Sequence, residues 1–183
     1  MGLDFQLSWK GLTFSGLFEY RSNYVQYSTA GSTYDFSGSS ARSAYYNREK
    51  FIFPNSSYYD STSGTYVANN SITVSDGGAG FWTSSSLYSG VTSNYVYSGN
   101  YWKLRELSLA YKLPSSVLRN VKFIKSATIS AQGRNLFIWM PKSNEYADPD
   151  YSNNGADSNA VGITSLSQTP PTRYYGGTIS LTF

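Results

Sequence analysis

The feature that most constrains this chain is a two-residue alternation of apolar and polar side chains that recurs in five stretches, because a period of two belongs to strands lying between unlike environments. In residues 3–9, Leu3, Phe5, Leu7 and Trp9 share one face against Asp4, Gln6 and Ser8. Lys10-Gly11 reads as a tight turn. The alternation resumes with Leu12, Phe14, Gly16, Phe18 and Tyr20, so residues 3–9 and 12–27 form a hairpin. A third strand, 101–113, places Leu107, Leu109, Tyr111 and Leu113 together. Leu104 and Glu106 fall out of phase with them, which predicts a bulge or a segment outside the apolar zone. Pro114 to Asn120 makes a compact turn.

The fourth strand, 121–139, sets Val121, Phe123, Ala127, Ile129 and Ala131 against Lys122, Ser126, Thr128, Ser130, Gln132 and Arg134, and its apolar phase slips near Asn135 to Leu136 and Ile138. The fifth, 173–183, places Tyr175, Gly177, Ile179, Leu181 and Phe183 on one face. The connections run short, long, short, long, with long polar loops at 28–99 and 140–172. Strands of about ten residues that cross a bilayer at a tilt of roughly 45°, with short turns on one side and long extracellular loops on the other, have this pattern. A membrane sheet closes to hide its edges, and bacterial barrels use at least ~8 strands. Five strands are therefore part of a larger barrel, and the fold class expected is an all-β, antiparallel transmembrane barrel fragment.

Composition narrows the chemistry. The 183 residues include 18 Tyr and 16 Gly, and charged residues make up only 14%. The net charge of +3 comes from scattered basic residues, which argues against nucleic-acid binding. There is no Cys and no His, so thiol nucleophiles, imidazole acid–base work and ordinary zinc sites are out of reach. The acids Asp4, Asp35, Glu49, Asp60 and Glu145 are too dispersed to nominate a glycosidase pair. No catalytic residue, metal or cofactor is expected. The start MGLDFQLSWK has no signal-peptide pattern, and the longest apolar run, Leu136 to Met140, is far short of the ~20 residues of a membrane helix.

Four motifs occur in order: Asn100-Tyr-Trp-Lys-Leu-Arg-Glu-Leu-Ser-Leu-Ala-Tyr-Lys-Leu-Pro114, Ala127-Thr-Ile-Ser-Ala-Gln-Gly-Arg-Asn-Leu-Phe137, Asp148-Pro149-Asp150, and Pro170-Pro-Thr-Arg-Tyr-Tyr-Gly176 leading to Phe183. Together they resemble the carboxyl-terminal end of SusC/RagA-type TonB-dependent transporters of Bacteroidota. The resemblance implies a 22-stranded outer-membrane barrel whose remaining strands and plug domain lie elsewhere. It further implies a SusD-like surface lipoprotein as partner, energy from TonB through the missing amino-terminal part, and an oligosaccharide or peptide as cargo.

Within that frame Tyr175, Ile179, Leu181 and Phe183 resemble the signal that barrel-assembly machinery reads on a final strand. Tyr45, Tyr46, Tyr58, Tyr59, Tyr66, Trp82 and Tyr88 are candidates to contact substrate or partner; the other reading is that they pack the loop against itself. Asp148, Asp150, Asn153, Asn154 and Asp157 offer oxygen ligands but match no calcium loop, so they read as a solvated acidic turn. Glu19, Ser126, Thr128, Ser130, Gln132 and Arg134 are expected to line the lumen. The competing architecture is a secreted β-sandwich serving as a carbohydrate-binding or adhesion module, which would be soluble without detergent.

Overall fold

The computed structural model describes every residue except 75–77, 85–87, 122, 146–147, 152–161, 168 and 170. The chain runs β1 (Gly2–Trp9), β2 (Leu12–Arg21), β3 (Val25–Ser28), α1 (Thr29–Ser37), β4 (Ser57–Asp60), β5 (Thr65–Ala68), α2 (Ala79–Thr83), β6 (Val96–Ser98), β7 (Tyr101–Lys112), α3 (Ser115–Leu118), β8 (Ser126–Trp139), β9 (Ile163–Thr164) and β10 (Tyr174–Thr182). It divides into two compact units, the first built from residues 1–26, 97–162 and 167–183 and the second from 27–96 and 163–166.

The first unit is a five-stranded sheet in the order β1-β2-β7-β8-β10, antiparallel throughout. Its register explains why alternating sequences suffice. Phe5 faces Gly16 and Leu7 faces Phe14; Phe14 in turn faces Leu109, Leu109 faces Ala131, and Ala131 faces Gly177. Each strand thus adds its apolar set to one continuous face. The opposite face carries hydroxyls that bond across strands, Ser15 to Ser108 at 2.7 Å and Ser126 to Thr182 at 2.9 Å.

The strand read over residues 12–27 stops at Arg21. Asn23 lies in the left-handed region at φ 65° and donates its N–H to Asn100 Oδ1, so the ladder cannot continue through it. Residues 113–125 hold α3 and turns, and β8 begins at Ser126. Lys122, assigned to the polar face of that strand, lies outside the described residues.

A bulge lies between Leu104 and Glu106, where Arg105 has no single partner across from it and the register jumps from Phe137 to Arg134. Asn135 takes φ 54° to make the jump. The extra residue returns Leu104 to the apolar face, and Phe137 and Trp139 join it there in place of the expected Ile138. Leu136 reaches that face, as expected, by folding over Gly133, leaving no room for a side chain: a Cβ on Gly133 would lie 2.7 Å from Leu136 Cδ2 and 3.2 Å from its Cγ. Gly133→Val is therefore expected to destabilise the folded protein by about 1–3 kcal/mol through overpacking. A urea titration in detergent micelles checks this, with Ala131→Val, where the side chain is exposed, as the control.

The second unit shows that residues 28–99 are not the structureless loop the sequence suggests. α1 begins on Ser28, whose Oγ accepts from Gly31 N at 2.9 Å, and ends on Gly38 at φ 69°, whose N–H returns to Asp35 O. β3 and β9 pair in parallel through Tyr27–Ile163 and Ser28–Thr164. β4 and β5 form a hairpin. The core is aromatic: Tyr46 stacks on Phe51 at 3.9 Å, Phe53 packs on Phe81 at 4.7 Å, and Trp82 meets Tyr88 edge-on at 4.8 Å. These rings bury the apolar area that offsets the entropy of ordering so polar a segment.

Candidate functional site

On the polar face of the first unit, alternation along β7 puts Tyr101 and Lys103 side by side, and the bulge adds Arg105 to the same side. These three residues seize the Asp148-Pro149-Asp150 segment. Lys103 Nζ donates to Asp148 Oδ2 at 2.9 Å and Asp150 Oδ2 at 3.0 Å. Arg105 grips Asp150 with two guanidinium nitrogens, at 2.5 and 2.7 Å, and also donates to Glu19, which Arg21 holds from its other side at 2.6 Å. The Tyr101 hydroxyl donates to Asp150 Oδ1 at 2.7 Å. Gln26 Nε2 and the Tyr24 hydroxyl both donate to the Pro149 carbonyl, and the Tyr97 hydroxyl supports Gln26. Asp150 N returns to Asp148 Oδ1, which fixes the bend.

The expectation of a solvated acidic turn is thus corrected. Asp148 and Asp150 are largely buried, and their oxygens are committed to fixed cations, because Lys103 and Arg105 supply at short range the charge that water or a metal would otherwise provide. Asn153, Asn154 and Asp157 lie outside the described residues. No group of acids that would hold a metal occurs among the described residues. The pairing of Lys103 and Arg105 with the Asp-Pro-Asp segment was missed in the sequence. Its one signal was a pair of cations two residues apart, Lys103 and Arg105, at the end of the strand where the phase slips.

Burial by itself would push the Asp150 carboxyl up, but hydrogen bonds from Arg105, Tyr101 and Lys103 outweigh it and bring the carboxyl down to about 2. Burial pushes the Tyr24 phenol up to about 12, so it remains a donor at neutral pH. A depressed carboxyl pKa contributes stability that is full above the unfolded value of ~3.9 and is lost as pH falls through the folded value. Protease cutting within 140–172 is therefore expected to be unchanged from pH 7 to pH 5 and to rise between about pH 4 and pH 2. An acid-stable protease with mass-spectrometric mapping reads this directly.

Glu19, Ser126, Thr128, Ser130, Gln132 and Arg134 all lie on this polar face. Arg105, Glu106, Gln132, Arg134 and Tyr174 line a concavity of about 650 Å³ on it, with Arg134 Nε 3.3 Å from Glu106 Oε2. This surface suits neutral polar or charged protein groups. The acids of the anchor are already occupied.

The candidate contact aromatics separate into two groups. Trp82 is buried and Tyr88 packs against Phe53, Phe81 and Trp82, so these two build the core of the second unit, while Tyr46 stacks on Phe51 from the exposed side. Tyr59 and Tyr66 pair edge-to-face across the β4–β5 hairpin at 5.5 Å with both rings in solvent; Tyr45 is exposed and Tyr58 half-buried on the same hairpin's other side. Tyr175, Ile179 and Leu181 stand exposed on the apolar face of β10, which among the described residues is an edge strand paired with β8. Phe183 stacks on Phe123 with ring centroids 6.3 Å apart.

A single-layer antiparallel sheet with one apolar and one polar face and two unpaired edges is a piece of β-barrel wall. Solved structures agree in fold. The chain superposes over its full length on the RagAB peptide importer in the closed-closed state (18% identity, TM-score 0.53), on the same importer in the open-open state (19%, 0.52) and on the RagAB peptide transporter (18%, 0.54). It spans 17% of the length of each of those chains. No protein-family model and no curated protein matches the chain.

Proposed function

We propose that this chain is the closing part of the barrel of a SusC/RagA-type TonB-dependent transporter in a bacterial outer membrane, importing peptides or oligosaccharides together with a SusD-like lipoprotein. The observation that carries the reading is the exposed apolar face of the sheet. Leu109, Ile129 and Ile179 stay about half exposed or more, and aromatic rings flank them: Trp9 and Tyr111 towards the short turns, Tyr20, Trp102 and Trp139 towards the long connections. From Trp102 to Tyr111 the strand covers roughly 30 Å, and a tilt of roughly 45° reduces this to about 21 Å, close to the ~25 Å apolar band of outer-membrane barrels. A soluble sandwich would bury this face under a second sheet; the exposure of these residues speaks against it. In this reading the polar face meets the plug, the edges of β1 and β10 pair with the remaining strands, segments 28–99 and 140–172 are extracellular, and TonB acts through the protein's amino-terminal part. The chain takes no catalytic role.

The chain has no cysteine of its own, so a single replacement gives it one reactive thiol. In cells carrying the intact protein, Thr62→Cys on the hairpin turn is expected to react with a membrane-impermeant maleimide, while Leu109→Cys reacts only after denaturation. Deleting the gene is expected to abolish uptake of a labelled peptide or oligosaccharide pool. Labelling of Leu109→Cys in intact cells overturns the membrane assignment, and unchanged uptake of both pools overturns the transport assignment.

A further inference from the structure

The Asp148-Pro149-Asp150 segment is folded back onto the strands. Tyr101, Lys103 and Arg105 hold its two acids, Gln26 and Tyr24 hold its Pro149 carbonyl, and Lys103 is buried beneath it, so it is a fixed part of the wall. The residues that hold its acids alternate along β7 with Trp102 and Leu104, which stand on the apolar face, and they cover roughly 13 Å of strand. The segment therefore lies across the sheet from the row of rings formed by Tyr20, Trp102 and Trp139. The backbone is deformed to aim this hold. Arg105 is the residue of the bulge without a single partner, and across from it Asn135 takes a left-handed φ of 54°. A bulge re-aims a side chain at the cost of ladder pairing, and positive φ on a non-glycine residue adds strain. The deformation yields one guanidinium that grips Asp150 and also lines the concavity of about 650 Å³. That concavity extends along the strands away from the segment as far as Gln132, which pairs with Ser108.

We infer that residues 148–150 form a fixed constriction just inside the barrel mouth, which limits how wide a cargo can pass along this wall. The inference deepens the transport reading above and rests on it, because that reading makes the polar face the lumen side and the Trp102 end the outer end. Cargo coming from outside then meets the segment first and the concavity next. Three cations, Arg21, Lys103 and Arg105, are paired with three carboxylates, Glu19, Asp148 and Asp150, so the constriction carries no net charge. It acts by bulk rather than by attraction. An extended peptide or unbranched oligosaccharide fits past it where a cyclic or branched one of the same composition does not.

The test uses cells carrying the intact protein and compares uptake of labelled linear peptides and oligosaccharides with that of their cyclised or branched forms. The parent is expected to favour the linear forms about tenfold. Asp150→Ala, which removes the carboxylate that Tyr101, Lys103 and Arg105 hold, is expected to erase most of that preference. Asp60→Ala on the exposed hairpin should leave it unchanged. Protease cleavage within 140–172 verifies that the segment has come loose, and the heat-shifted gel band of a folded barrel verifies assembly. Arg105→Gln is the second variant if Asp150→Ala does not assemble. A loosened segment with the preference intact overturns the constriction, and so does a parent that takes up both forms alike. A segment still protected in the assembled variant overturns the anchor as its hold. Uptake of neither form by the parent instead removes the transport reading, and the constriction with it.

Discussion

Replacing Lys103 with Met is expected to destabilise the protein by about 3–5 kcal/mol, because it leaves two largely buried carboxylates, Asp148 and Asp150, without the cation they share. Arg105 remains on Asp150, so the heavier loss falls on Asp148. Two readouts follow. The urea midpoint in detergent should drop, and cleavage within 140–172 should become fast at neutral pH, as acid is expected to make it in the unaltered protein. Lys103→Arg, which retains the charge, should recover much of the loss. A Lys103→Met protein within about 0.5 kcal/mol of the parent, the usual range of an inconsequential surface change, would show that the anchor is incidental.

Leu109→Arg gives the second large effect, and its sign depends on what the apolar face touches. In water a side chain already 45% exposed should tolerate arginine within about 0.5 kcal/mol. Facing lipid near mid-depth, the same change is expected to cost about 2–4 kcal/mol. The neighbouring Ser108→Arg, on the polar face, is the matched control. Refolding into lipid vesicles with a urea titration measures both, and equal, small effects at the two positions would remove the lipid from the account.

How far the sequence could be read follows from the range over which each contact acts. Strand faces were legible because alternation is local: Leu3, Phe5 and Leu7 declare their face without reference to any partner. The phase slips at Leu104/Glu106 and near Asn135 were visible one strand at a time. Their joint meaning was not, because which residue is extra depends on the pairing of Leu104 with Phe137 and of Glu106 with Arg134. The second unit was opaque for a different reason: its rings meet across dozens of residues, Asp35 with Tyr95 and Phe53 with Tyr88, and no short period records such contacts. The anchor was hidden in the same way, with Lys103 and Asp148 separated by 45 residues. Among the candidate aromatics, ring count alone could not tell Trp82, a core residue, from Tyr66, an exposed one.

The single phase of β8 has a genetic consequence. Ala127, Ile129, Ala131, Gly133, Phe137 and Trp139 share the apolar face, so the strand keeps its alternation through the step from Arg134 to Phe137. Deleting the codon for Asn135 would reverse the phase beyond it, turning Phe137 and Trp139 to the polar face and Ile138 to the apolar one. The aromatic end of that face is thus encoded by residue count as well as residue type, and in-frame deletions in this strand should be purged far more severely than substitutions at the same codon.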